Sequence, residues 1–109
     1  MGIKNTQLEK KLKKFKIAIQ KKYEIKQMIL FGSQARGDTR TDSDVDLILV
    51  SPIFSNKNNQ DESRLYQEWH IRHKLRIPVD FLCYSQKEFD KLKNRISIVS
   101  QAIKEGIEI

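Results

Sequence analysis

The sequence predicts an α/β chain of the α+β type, a small mixed β-sheet flanked by helices. Two observations carry that prediction. Leu8, Leu12, Phe15 and Ile19 recur with the period of a helix. Three short runs, residues 28–31, 44–50 and 78–84, instead concentrate aliphatic, β-branched and aromatic residues between turn-forming stretches. At 109 residues the chain fits one domain over residues 1–109, long enough to bury a single core. The 39% hydrophobic and 32% charged content describes a folded protein rather than a disordered or fibrous one.

The elements follow in order. A first helix is expected over residues 6–23, then a strand through Ile25 and residues 28–31. Residues 33–36 suit one helical turn, and the polar stretch 37–43 reads as a loop into a second strand, 44–50, which Pro52 stops. A surface loop over 55–60 precedes Asp61, Glu62 and Ser63, whose acidity suits a helix start, and that helix is expected to reach Arg76. Its apolar stripe is narrow, Leu65, Trp69 and Leu75. Pro78 opens the third strand, where its missing N–H is tolerated. Ser85 and Glu88 match a capping box, so a helix containing Phe89 and Leu92 begins there. Ile96, Val99 and Ile103 continue at helical spacing toward a stop at Gly106, leaving residues 107–109 as a short extended tail.

The net charge of +7 is concentrated in the lysines of the first helix and those just after it. A solvated basic face opposite the buried stripe explains it most simply, although such a face could also meet an acidic partner or RNA. Nucleic acid is not the favoured partner. No apolar stretch approaches the roughly 20 residues of a membrane helix, and the Lys-rich start lacks the apolar core of a secretion signal. A cytoplasmic protein without membrane association is expected. Cys83 is the only cysteine and stands in an apolar strand, which suits a buried, inert thiol. Exposed strand edges or the Ile-rich C-terminus could support a homodimer.

The chemistry-bearing residues cluster between the strands. Asp44 and Asp46 are one residue apart at the start of a strand, so both carboxylates leave on one face. Gly32 permits a tight turn and close backbone approach, and Ser33 adds a hydroxyl at the start of a helical turn, where N–H groups can hold a phosphate. Asp80 interrupts the third apolar strand. Taken alone, a salt bridge to Arg72, Arg76 or Arg95 would explain it. Together with Asp44 and Asp46 it makes three acids on neighbouring strands, which repel one another unless a divalent cation such as Mg²⁺ lies among them. Arg36 could neutralise a bound triphosphate or pair with Asp38 or Asp42. His70 and His73 have no accompanying acidic ligand and read as surface histidines, while Trp69 and Tyr84 read as packing aromatics.

Gly32-Ser33-Gln34-Ala35-Arg36-Gly37, then Asp44-Val45-Asp46, then Asp80 on a later strand, resembles the minimal nucleotidyltransferases of the DNA polymerase β superfamily. The resemblance covers about half the chain. It implies a nucleotidyltransferase-like fold and transfer of a nucleoside monophosphate, AMP from ATP, to an acceptor hydroxyl with pyrophosphate leaving. It implies two Mg²⁺ ions held by Asp44, Asp46 and Asp80 as catalytic and metal-binding residues, with Gly32 and Ser33 on the β- and γ-phosphates of the NTP. Small members of this family are often antitoxins of a HEPN-type helical partner, and some transfer AMP to a tyrosine of that partner. The alternatives are a non-catalytic antitoxin or RNA-binding module acting by contact alone, and transfer to a small molecule.

Overall fold

The computed structural model describes residues 6–36, 44–54, 60–95 and 97–109. Helix α1 (Thr6–Gln20) buries Leu8, Leu12, Phe15 and Ile19, the stripe its periodicity marks out. It ends a turn earlier than expected: residues 21–24 form a turn, with Glu24 at φ 50°, and this redirects the chain into β1 (Gln27–Phe31). Gly32 leads into the one-turn helix α2 (Ser33–Arg36), and β2 (Val45–Val50) returns antiparallel to β1. The expected loop over 37–43, with Asp38 and Asp42, and most of that over 55–60 lie outside the described residues.

Helix α3 (Gln60–Gln67) does not continue to Arg76. It widens into a five-residue π-helical segment, Glu68–Arg72, in which the His73 amide reaches back to the Glu68 carbonyl. The extra residue per turn puts Glu68 and Trp69 inside together, and Lys74 at φ 53° ends the helical path. Trp69 is fully buried; its Nε1–H donates to the Ile77 carbonyl at 2.8 Å and its ring meets Phe15 edge-on. Strand β3 (Val79–Tyr84) then runs parallel to β2.

The Ser85–Glu88 capping box opens α4 (Gln86–Lys93) as expected. The helical spacing beyond it does not form one continuous helix. Ser97 Oγ donates to the Leu92 carbonyl at 2.8 Å and also caps a new helix, α5 (Ile98–Glu105), so a serine that serves two ends marks the corner; Ile96 lies outside the described residues. Past Gly106 the tail is a true strand, β4 (Ile107–Glu108), antiparallel to β1.

The result is a mixed four-stranded sheet in the order β3-β2-β1-β4. Alternation divides it cleanly. Met28, Leu30, Val45, Leu47, Leu49, Val79 and Phe81 face α1 and α3, whereas Ile29, Ile48 and Val50 pack with Phe89, Val99 and Ala102 from α4 and α5. Cys83 is half-buried, and burial pushes its thiol up, out of the reactive range. Among the described residues no helix is long and apolar enough to cross a membrane.

Candidate active site

The parity of β2 places Asp46 on the same side as Ile48 and Val50, toward the α4/α5 face. Its register partners are Phe31 on one side and Asp80 on the other. In-register residues of adjacent parallel strands project to the same face about 4.8 Å apart. The Asp46 and Asp80 side chains therefore leave the sheet together, and Asp44, two residues ahead of Asp46, stands at the same end. The third acid is not on the reverse side.

Their mutual proximity is felt electrostatically. Burial, then the charges of Asp80 and Asp44, push the half-buried Asp46 carboxyl above its usual range, against an opposing pull from Arg36. Asp44 and Asp80 are exposed. Asp80 thus avoids the burial cost that its apolar strand suggests: it is exposed on β3, the edge strand of the sheet. Among the described residues it forms no ion pair with Arg72, Arg76 or Arg95; Arg72 lies instead 3.9 Å from Glu68.

Gly32 completes one wall. At φ 77° it adopts a backbone conformation that L side chains rarely take, and a Cβ built there would stand 2.3 Å from Asp46 Oδ2. The carboxylate occupies the space a side chain would need. The Ala35 and Arg36 amides both donate to the Gly32 carbonyl at 3.1 Å, closing the turn that Ser33 begins. Arg36 meets Glu105 at the end of α5, Nη1 to Oε2 at 3.4 Å, a partner that neither sequence-level alternative named. Sixty-nine residues separate the two, and nothing local signals the pairing.

Three carboxylates on one face, none of them in an ion pair among the described residues, form an oxygen donor set that suits a divalent cation. As they stand, no group of three or more His, Cys, Asp or Glu side chains among the described residues is gathered closely enough to hold a metal ion.

The histidines stand elsewhere. His70 stacks on Tyr66, with Nδ1 3.0 Å from the Leu75 carbonyl oxygen. His73 is not a plain surface residue: it is half-buried, edge-on to Phe15 and 3.8 Å from Glu68. Tyr84 is half-buried two positions beyond Leu82 on β3, and Trp69 belongs to the core.

Comparison with known proteins bears on the family and the fold. A curated protein of Methanocaldococcus jannaschii, named a "putative protein adenylyltransferase", is 47% identical over 47 residues, 41% of this chain and 47% of the relative. The match thus spans about half the length of that relative. The fold overlays on a chain from a crystal structure of a toxin-antitoxin with AMP-PNP, with TM-score 0.57 and 17% identity, over 87% of this chain and 69% of that one. The family model for the nucleotidyltransferase domain matches residues 12–105, nearly all of the sequence, and the chain belongs to that family.

Proposed function

We propose that the chain transfers AMP from ATP to an acceptor hydroxyl and releases pyrophosphate. The observation that carries this reading is the in-register pair Asp46 and Asp80, with Asp44 alongside and the Gly32 backbone closed against the Asp46 carboxylate. Two Mg²⁺ ions held by Asp44, Asp46 and Asp80 would neutralise triphosphate charge and make the acceptor hydroxyl more acidic. The turn at Gly32 and Ser33 receives the β- and γ-phosphates, where backbone N–H groups at a helix start favour anions. The acceptor oxygen forms a bond to the α-phosphorus while the α-phosphorus bond to the bridging oxygen breaks, and pyrophosphate carries that electron pair away. Asp80, exposed at the sheet edge, takes the acceptor proton or passes it to water. Arg36 leaves Glu105 for the triphosphate, a stronger anion than one exposed carboxylate.

The acceptor we propose is a tyrosine hydroxyl on a helical toxin partner of the HEPN type. The archaeal relative's name refers to protein adenylylation and the overlaid chain comes from a toxin-antitoxin structure, and both fit that acceptor. Incubation of the full chain with the partner, ATP and Mg²⁺ is expected to add one or more AMP units to the partner, read by intact-mass spectrometry. The Asp44→Asn/Asp46→Asn variant is expected to lose the transfer almost completely. No mass increase on a verified partner, or neutralisation of the toxin undiminished in that variant, would favour an antitoxin acting by contact alone.

A further inference from the structure

The outer face of α1 is more than solvated charge. Ile17 is 73% exposed, on the side of the helix opposite the buried stripe of Leu8, Leu12, Phe15 and Ile19. Lys10, Lys13 and Lys14 stand seven, four and three residues before it, positions that share a helix face, and Lys21 follows in the turn just past the helix end. Lys13 lies 3.6 Å from Glu9, whereas Lys10, Lys14 and Lys21 have no ion pair among the described residues. An isoleucine inside a ring of lysines is followed, just past the helix end, by a cleft of about 380 Å³ bounded by Tyr23, Ile53, Arg64 and Lys22, the last of these paired with Glu68. Ile53 is 45% exposed there. Two accessible apolar points thus lie on this side, Ile17 among lysines and Ile53 beside Arg64.

We propose that this face docks an acidic protein segment that carries an apolar side chain between its carboxylates. The charge calls for an anionic partner, and the isoleucines decide which kind. Single-stranded nucleic acid uses cations for its phosphates and exposed aromatic faces for its bases. Among the described residues the exposed large apolar side chains are Ile17, Ile53, Ile71 and Ile103, all aliphatic, and Tyr23 is buried. An aliphatic side chain gains from meeting another apolar group and offers a base no stacking surface. Helix α1 covers the sheet face opposite the one bearing Asp46 and Asp80, so an occupant there leaves the carboxylate end open.

The test is fluorescence anisotropy on the full chain with three labelled probes: a glutamate-rich helical peptide with leucines along one face, the same peptide with those leucines replaced by glutamine, and a single-stranded RNA. The leucine peptide is expected to bind about tenfold tighter than its glutamine counterpart, the equivalent of one buried aliphatic contact. Ile17→Ser removes that advantage, and Lys14→Glu with Lys21→Glu weakens both peptides. All three positions are exposed, so circular dichroism should find the fold intact. The proposal is overturned if the peptides bind alike or not at all, if Ile17→Ser has no effect, or if RNA displaces the leucine peptide. The Asp44→Asn/Asp46→Asn variant should dock as the wild type does, and the α1 variants should still bind ATP with Mg²⁺ as the wild type does. Failure of docking and failure of the transfer reading are therefore separately visible.

Discussion

A single hydrogen in place of a side chain sets how near the end of β1 can come to the acid on β2. Gly32→Ala must relieve both a left-handed φ and a 2.3 Å approach to Asp46 Oδ2, and the chain can do so only by moving the turn or the carboxylate. The expected outcome is a fall in AMP transfer of at least about 100-fold, since displacement near 1 Å at a reacting centre has that effect. Single-turnover kinetics with saturating ATP would measure it. Asp46 itself is held against its neighbours: burial and the charges of Asp80 and Asp44 all disfavour its ionised form. Asp46→Asn is therefore predicted to raise the melting temperature while abolishing transfer. Mg²⁺ should raise the melting temperature of the wild type and leave the Asp44→Asn/Asp46→Asn variant unchanged, because the cation relieves a repulsion the variant lacks. Differential scanning fluorimetry with and without the metal compares all three proteins.

Elements, unlike residues, answer to one another across the core, and Glu68 shows how. The π-helical widening turns it inward until it is 7% exposed, where Lys22 from the end of the α1 turn donates to it at 2.7 Å. Burial works against the ionised form, but the Lys22 hydrogen bond and charge, with Arg72 and His73, outweigh burial and hold the carboxyl below its usual range. The folded state thus binds this proton less readily than the unfolded chain. The stabilisation is complete above the ordinary glutamate range and is lost as pH falls through the depressed folded value. Glu68→Gln should accordingly lower stability at neutral pH by about 1–2 kcal/mol, and the gap to the wild type should close in acid. Urea melts at pH 7 and near pH 3 would show it. None of this was legible beforehand, because Lys22, the partner of Glu68, lies 46 residues away in the sequence. Leu8, Leu12, Phe15 and Ile19, and the Ser85–Glu88 capping box, could be read from sequence since each depends on residues within a few positions.

At the scale of the whole molecule, the strands were legible and their order was not. Alternation within β2 is enough to put Asp44 and Asp46 on one side, but the register that sets Asp80 beside Asp46 depends on how the path through α3 returns the chain. The Arg36–Glu105 contact and strand β4 are longer-range still. β4 joins both layers: it pairs with β1 through Ile29, Leu30 and the Ile109 amide bonded to the Met28 carbonyl, and Lys16 of α1 donates to the Ile109 carbonyl oxygen. Gly106 makes that return possible by proximity alone. A Cβ there would stand 2.3 Å from the Ala102 carbonyl oxygen and 2.6 Å from Ile29 Cγ2, with the Leu30 carbonyl oxygen at 3.0 Å. Backbone on two sides cannot swing away as a side chain tip can, so Gly106→Ala is predicted to destabilise the fold by about 1–3 kcal/mol and to detach β4 first. Hydrogen exchange should then accelerate at the Ile109 amide while amides across the β1–β2 ladder remain protected. Equal acceleration in both places would mean that β4 closes the sheet as one cooperative unit with the rest, and unchanged exchange at Ile109 would mean that the close approach at Gly106 does not hold it.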